Sequence, residues 1–132
     1  MVITVAQRKG GAGKTTLAAQ LAVAWASQGA RVAVLDIDPQ GSLAAWVELR
    51  RARLGANGVG FDFAALPGWR AAPWIEEQAR SADLIVIDNP PHAETEAQIA
   101  VRAARLVLIP VQPSPLDLWA TEATLKDRKS VV

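Results

Sequence analysis

The sequence predicts an α/β domain of three layers with a mainly parallel sheet. Near-continuous apolar runs recur at Val2–Ala6, Val32–Ile37, Leu84–Ile87 and Leu106–Val111, and helical patterns separate them. Strands covered on both faces read this way, whereas half-exposed strands alternate apolar and polar residues. Strands that alternate with helices imply right-handed crossovers and helices on both sides of a parallel sheet. A third observation fixes one end of that sheet: a lysine- and glycine-rich segment, residues 9–16, directly follows the first apolar run.

In chain order, Leu17, Leu21 and Trp25 lie four apart on one face of a first helix, which Gly29 ends. Ser42 is a candidate cap for a second helix carrying Leu43, Trp46, Val47 and Leu54 and closed by Gly55. Phe61–Leu66 is a candidate short extra strand between glycines. Pro73 suits the first turn of a third helix, with Glu76 and Glu77 near its positive end. Glu94–Ala104 is a fourth helix. Ser114-Pro115-Leu116-Asp117 has the form of a capping box with proline at its first helical position, so a fifth helix is predicted from there through Leu125.

Composition narrows the class. The 132 residues suit one compact domain, and 14 Lys+Arg against 13 Asp+Glu leave a formal charge of +1. No global field then draws the protein to nucleic acid or anionic lipid, so any such binding has to be local. The absence of cysteine excludes disulfides, thiolate metal sites and thiol catalysis. No leader pattern is evident, and no apolar run approaches the ~18 residues of a membrane span. The expectation is a cytoplasmic protein without a membrane anchor.

The chemistry concentrates in Lys9-Gly10-Gly11-Ala12-Gly13-Lys14-Thr15-Thr16. Its glycines let several backbone N–H groups point into one concavity, and the helix that follows adds its positive N-terminal dipole. Phosphate is the natural occupant. Ligands of open α/β sheets bind beyond the carboxyl ends of the strands, where three acids fall: Asp36, Asp38 and Asp88. A triphosphate needs a hard cation, and Mg²⁺ takes one or two protein oxygens while keeping several waters. Thr15, Asp38 and Asp88 are the candidate metal-side residues. Asp36 stays open between a part in this site and bonds to neighbouring backbone.

The loop departs from G-x-x-x-x-G-K-[ST] in carrying Arg8 where the first glycine would stand, and Lys9 opens it instead. In that form it resembles the deviant Walker A box, KGGxGK[ST], of ParA/MinD ATPases. Asp36-Ile37-Asp38-Pro39-Gln40-Gly41 is similar to that family's A′ motif, and Leu84–Asp88 followed by Asn89-Pro90-Pro91 to its Walker B motif. Small plasmid-type ParA proteins offer the nearest likeness, extending to Pro110–Asp117. The resemblance implies a P-loop NTPase-like fold, ATP and Mg²⁺ as cofactors, and Lys9, Lys14 and Asp38 as catalytic residues. Lys14 would contact the β- and γ-phosphates, the Thr15 hydroxyl the Mg²⁺, Asp88 a metal-bound water, and Asp38 would orient the attacking water.

Lys9 would reach the nucleotide of a second protomer, the kind of contribution worth ~10³–10⁵ in rate for an arginine finger. Partners implied are a second copy in an ATP-dependent homodimer, a ParB-like centromere-binding activator and nonspecific DNA, with association with the nucleoid. The function implied is partition of plasmid or chromosomal DNA, or positioning of another large cargo. A non-catalytic nucleotide-binding module and a MinD-type membrane-site regulator are the alternatives. The likeness covers residues 1 to about 125, while family domains continue with further strands and helices; the expectation is a single domain, 1–132, shortened at its C-terminus.

The remaining residues have plainer readings. His92, without a second histidine or a cysteine, is assigned a structural or solvent-facing role. Arg50, Arg51 and Arg53, near the end of the second helix, form a solvated face favoured by the dipole. Trp25, Trp46 and Trp119 are placed at core-facing helical positions, and all five tryptophans are read as packing.

Overall fold

The computed structural model of the chain describes residues 1–7, 13–90, 94–111, 119, 121–123 and 125–126, with backbone alone at 94–97. Its elements are β1 (Val2–Val5), α1 (Lys14–Ser27), β2 (Val32–Asp36), α2 (Ser42–Leu54), β3 (Asp62–Ala65), α3 (Ala71–Ala79), β4 (Leu84–Asp88), α4 (Glu94–Ala103) and β5 (Leu106–Leu108). Residues 119, 121–123 and 125–126 are helical, within the fifth helix that the sequence predicts. Ser114–Asp117, its expected start, lie outside the described residues, as does His92.

The strands form one parallel sheet in the order β3-β2-β4-β1-β5. Alternation along each strand sends Ile3, Val5, Val32, Val34, Leu84 and Val86 to one face, where they pack with Ala18, Ala19, Ala22 of α1 and Leu43 of α2. Ala33, Leu35, Ile85 and Ile87 point to the other, against Ala71 and Ile75 of α3 and Ala100 of α4. These are the three layers. The one buried hydroxyl in β1, Thr4, is satisfied by donating to the Ala100 carbonyl at 2.9 Å.

The segment Phe61–Leu66 does form a strand, β3, an edge strand paired to β2 through Asp62–Ala65. The last strand is shorter than predicted. Its ladder ends where the Ala6 N–H donates to the Leu108 carbonyl, and Pro110, with no N–H, cannot extend it.

Helix α1 corrects the predicted face. Lys14, Ala18 and Ala22 recur every four residues on the buried side, with Ala26 continuing the row, while Leu17 and Leu21 are half-buried beside it and Trp25 is exposed. Small alanines let the helix lie close to the sheet, which displaces the larger side chains to its flanks. Trp119 and Trp69 are also exposed, against the packing role assigned to them, whereas Trp46 stacks on Phe61 with centroids 6.2 Å apart. Glu76 and Glu77 fall beyond the first turn of α3, which starts at Ala71. Ser42 makes no capping hydrogen bond, and Gly41, at φ 68°, turns the chain into α2.

Of the arginine cluster, Arg51 pairs with Glu48. Arg50 is more than a solvated charge: its Nε donates to the Val59 carbonyl at 3.0 Å and its guanidinium lies 5.7 Å from the Trp46 ring centre.

Candidate nucleotide site

Register builds the site. Asp36 and Asp88 are direct partners across β2 and β4, and Val5 is paired with Asp88, so three strands end together at their carboxyl edge. Asp36 and Asp88 continue the alternation of Val34 and Val86 and therefore sit on the α1 side of the sheet. Helix α1 begins there. Gly13 precedes it at φ 88°, a left-handed conformation that only glycine adopts without strain, and its carbonyl accepts the Leu17 N–H at 2.9 Å.

Because Lys14 heads the sheet-facing row of α1, its ammonium is delivered to the strand ends. It is 7% exposed, donates to Asp88 Oδ1, and lies 3.6 Å from Asp38 Oδ2. The Thr15 hydroxyl donates to the other Asp88 oxygen at 2.8 Å. Asp88, 1% exposed, thus has both oxygens engaged by two consecutive residues of α1. Thr16 follows on the exposed side of the helix.

Residues 38–41 form a tight turn that carries Asp38 toward this cluster. The Gly41 N–H donates to the Asp38 carbonyl at 3.0 Å, and the Gln40 N–H to Asp38 Oδ1 at 3.0 Å. Oδ2 is the oxygen left facing Lys14. Asp36 resolves the choice left open by the sequence: its Oδ1 accepts the Asp38 N–H at 2.9 Å and its Oδ2 the Ala44 N–H at 3.1 Å. It bonds backbone, and caps α2 in place of Ser42. Burial raises its pKa to about 6, opposed by the Ala44 N–H bond and reinforced by the neighbouring Asp88 charge.

The structure therefore brings together four of the predicted site residues, Lys14, Thr15, Asp38 and Asp88, while Lys9, Gly10, Gly11 and Ala12 lie outside the described residues. One buried polar residue beside the loop had no role assigned from the sequence. The side-chain amide of Gln7, buried where β1 leads into the loop, donates to the Pro110 carbonyl and to Thr121 Oγ1, each at 3.0 Å. A polar residue closing an apolar strand was the available signal.

The donor set fits a magnesium–triphosphate pair. A buried ammonium at a helix N-terminus is suited to phosphate oxygens, and Thr15 with Asp88 offers a hydroxyl and a carboxylate to a hard cation. No group of three His, Cys, Asp or Glu able to hold a metal occurs among the described residues. Phosphate and water would supply the remaining ligands, as is usual for Mg²⁺. Among the same residues no helix is long and apolar enough to cross a membrane.

Comparison with known proteins relates the sequence and the fold to a described family. The family described as "CobQ/CobB/MinD/ParA nucleotide binding domain" matches residues 3–125. The maintenance of carboxysome distribution protein A of Gloeobacter kilaueensis is 40% identical over 118 residues, 89% of this chain and 51% of that protein. The chain thus spans about half the length of that relative. Among solved structures, the MinD cell division protein of Aquifex aeolicus superposes with a TM-score of 0.77 at 25% identity, over 98% of this chain and 64% of its own. A plasmid partition protein from Borrelia burgdorferi shares the fold with a TM-score of 0.81 at 20% identity, over 98% of this chain and 74% of its own.

Proposed function

The chain belongs to the CobQ/CobB/MinD/ParA nucleotide-binding domain family, and from that footing we propose that it is one domain of a Mg²⁺-dependent ATPase of the ParA type. The observation that carries this reading is the convergence of Lys14, Thr15, Asp38 and Asp88 at the carboxyl edge of the sheet. Lys14 exchanges carboxylate for phosphate oxygens when nucleotide binds, and Thr15 and Asp88 hold the cation side. Bound Mg²⁺ neutralises charge on the transferring phosphate. Asp38, held by its turn with Oδ2 toward Lys14, orients the attacking water.

Lys9 acts on the nucleotide of a second protomer, so the working unit is an ATP-dependent homodimer in the cytoplasm. Its nucleotide state positions a large cargo, DNA or a protein body, with a partner protein that stimulates turnover and nonspecific DNA as a surface. The likeness to a carboxysome-distribution protein and, at 32% identity, to the chromosome-partitioning ATPase Soj of Thermus thermophilus supports both cargo classes.

Phosphate release and ATP-dependent dimerisation, measured on the protein beside Lys14→Ala, Asp38→Ala and Lys9→Ala, test this. The expected result is turnover lost in the first two and dimerisation lost in the third. ATP binding with no turnover and no change of assembly state would overturn the ATPase reading.

A further inference from the structure

Asp36 has no part in the chemistry proposed above, yet its side chain is as fully committed as that of Asp88, and to backbone alone. It is 1% exposed, and both carboxylate oxygens accept backbone N–H groups that belong to different elements: Asp38 in the turn and Ala44 in the first turn of α2. Its own carbonyl accepts the Leu66 N–H at 3.0 Å, which ties the same point to the end of β3. The segment between its two contacts is residues 38–41, the turn that presents Asp38.

A buried carboxylate is a costly way to cap a helix, because it must be taken out of water. Ser42, one of the ordinary capping residue types, is at hand and makes no cap. What a carboxylate does that a hydroxyl cannot is accept two strong, divergent bonds at once, with charge assistance in each. The two bonds fix the main chain before and after residues 38–41. The strand end that supplies Asp36 is also in register with Asp88, so the turn is referenced to the strand that carries Lys14's other partner.

We propose that Asp36 is a positioning residue for Asp38: it clamps the turn between β2 and α2 so that Asp38 Oδ2 stays directed at the Lys14 side of the site. The inference rests on the reading of Asp38 as the group that orients the attacking water.

Steady-state ATP hydrolysis by wild type, Asp36→Ala, Asp38→Ala and the double variant separates this from a structural role. Asp36→Ala should lower kcat by at least about tenfold with KM for ATP within about threefold, since a 1 Å misplacement of a positioned group costs up to ~10²-fold. The double variant should be no slower than Asp38→Ala alone, because nothing remains to be positioned. Multiplying losses, or an unchanged kcat in Asp36→Ala, would overturn the proposal. Asp36→Asn keeps the volume and one acceptor oxygen, and serves the same cycle if Asp36→Ala does not fold.

Amide exchange measured without nucleotide reads the clamp directly. Protection should fall at Asp38 and Ala44 more than in the β4 strand, and equal protection in variant and wild type would refute the clamp. This arm does not depend on turnover, so an absence of ATPase activity in wild type would sink the proposed function while the clamp is still judged.

Discussion

Removing the Lys14 ammonium takes away the buried cation of the site. Lys14 is 7% exposed and paired with Asp88, which is 1% exposed and would keep only the Thr15 hydroxyl as donor. Deleting one partner of a buried pair costs about 3–5 kcal/mol, and the surviving Thr15 bond places Lys14→Met near the lower end, about 3 kcal/mol. With ~2.1 cal/mol/K of unfolding entropy per residue, a chain of this length has an unfolding entropy of about 0.28 kcal/mol/K, so Tm should fall by about 11 °C. Lys14→Met with Asp88→Leu removes both charges at similar volume, which is often neutral, and leaves the loss of the Thr15 bond, about 1 kcal/mol, beside the Lys14–Asp38 approach that Lys14→Met alone already removes. Urea and thermal unfolding of the four proteins give the coupling energy, expected at about 2 kcal/mol or more. If the double variant is as unstable as the sum of the singles, the pair does not hold the strand end to α1. Repeating the melts with Mg·ATP at 100 times its Kd should add about 2.7 kcal/mol, roughly 10 °C, to wild type and little to Lys14→Met.

Two further outcomes follow from buried polar groups. Asp36 has a folded pKa of about 6 against 3.8, so the folded chain holds this proton more tightly than the unfolded chain; its contribution to stability is full below about pH 4 and lost as pH rises through 6. The difference amounts to roughly 3 kcal/mol, and Asp36→Asn should lack that slope in urea unfolding at pH 4 to 7; parallel curves would contradict the burial argument. Gln7→Leu removes both donors that reach Pro110 and Thr121, leaving the Pro110 carbonyl to lose a bond at a cost of about 1–3 kcal/mol. Amide exchange at residues 121–123 should then accelerate more than global unfolding requires, and uniform acceleration across the chain would show that Gln7 is not a local strut.

The three-layer sheet was legible because β2 and β4 are buried on both faces, and strands so placed read as continuous apolar runs. Helix faces were harder. The sheet-facing row of α1 begins with a lysine and continues through alanines, so the residues with the loudest apolar signal, Leu17, Leu21 and Trp25, pointed one position away from the buried row. Close approach selects small side chains, which periodicity weighs lightly. The convergence of Lys14, Thr15, Asp38 and Asp88 was legible from spacing, since Lys14 and Thr15 open a helix, Asp88 ends a strand and Asp38 lies in the turn that follows one. The role of Gln7 was not, because its partners lie 103 and 114 residues away and nothing local marks them. The capping of α2 was misplaced for a similar reason: Ser42 satisfied every local rule, while the bond went to Asp36 across the turn.

One consequence follows from how the cluster balances its charges. Lys14 sits between Asp88 and Asp38, so among the described residues one ammonium compensates two carboxylates that are otherwise nearly dry. If Lys14 turns to phosphate, Asp88 is left with the Thr15 hydroxyl, and a buried carboxylate without a counter-charge is costly. A divalent cation held by Asp88 and Thr15 would remove that cost, and by linkage it would favour the turn of Lys14 toward phosphate as much as phosphate would favour the cation. The internal ion pair would thus make phosphate and metal binding mutually reinforcing at this site. Lys14 and Thr15 are consecutive on α1, so in such an exchange the Thr15 hydroxyl would keep Asp88 tied to the helix as Lys14 turned away.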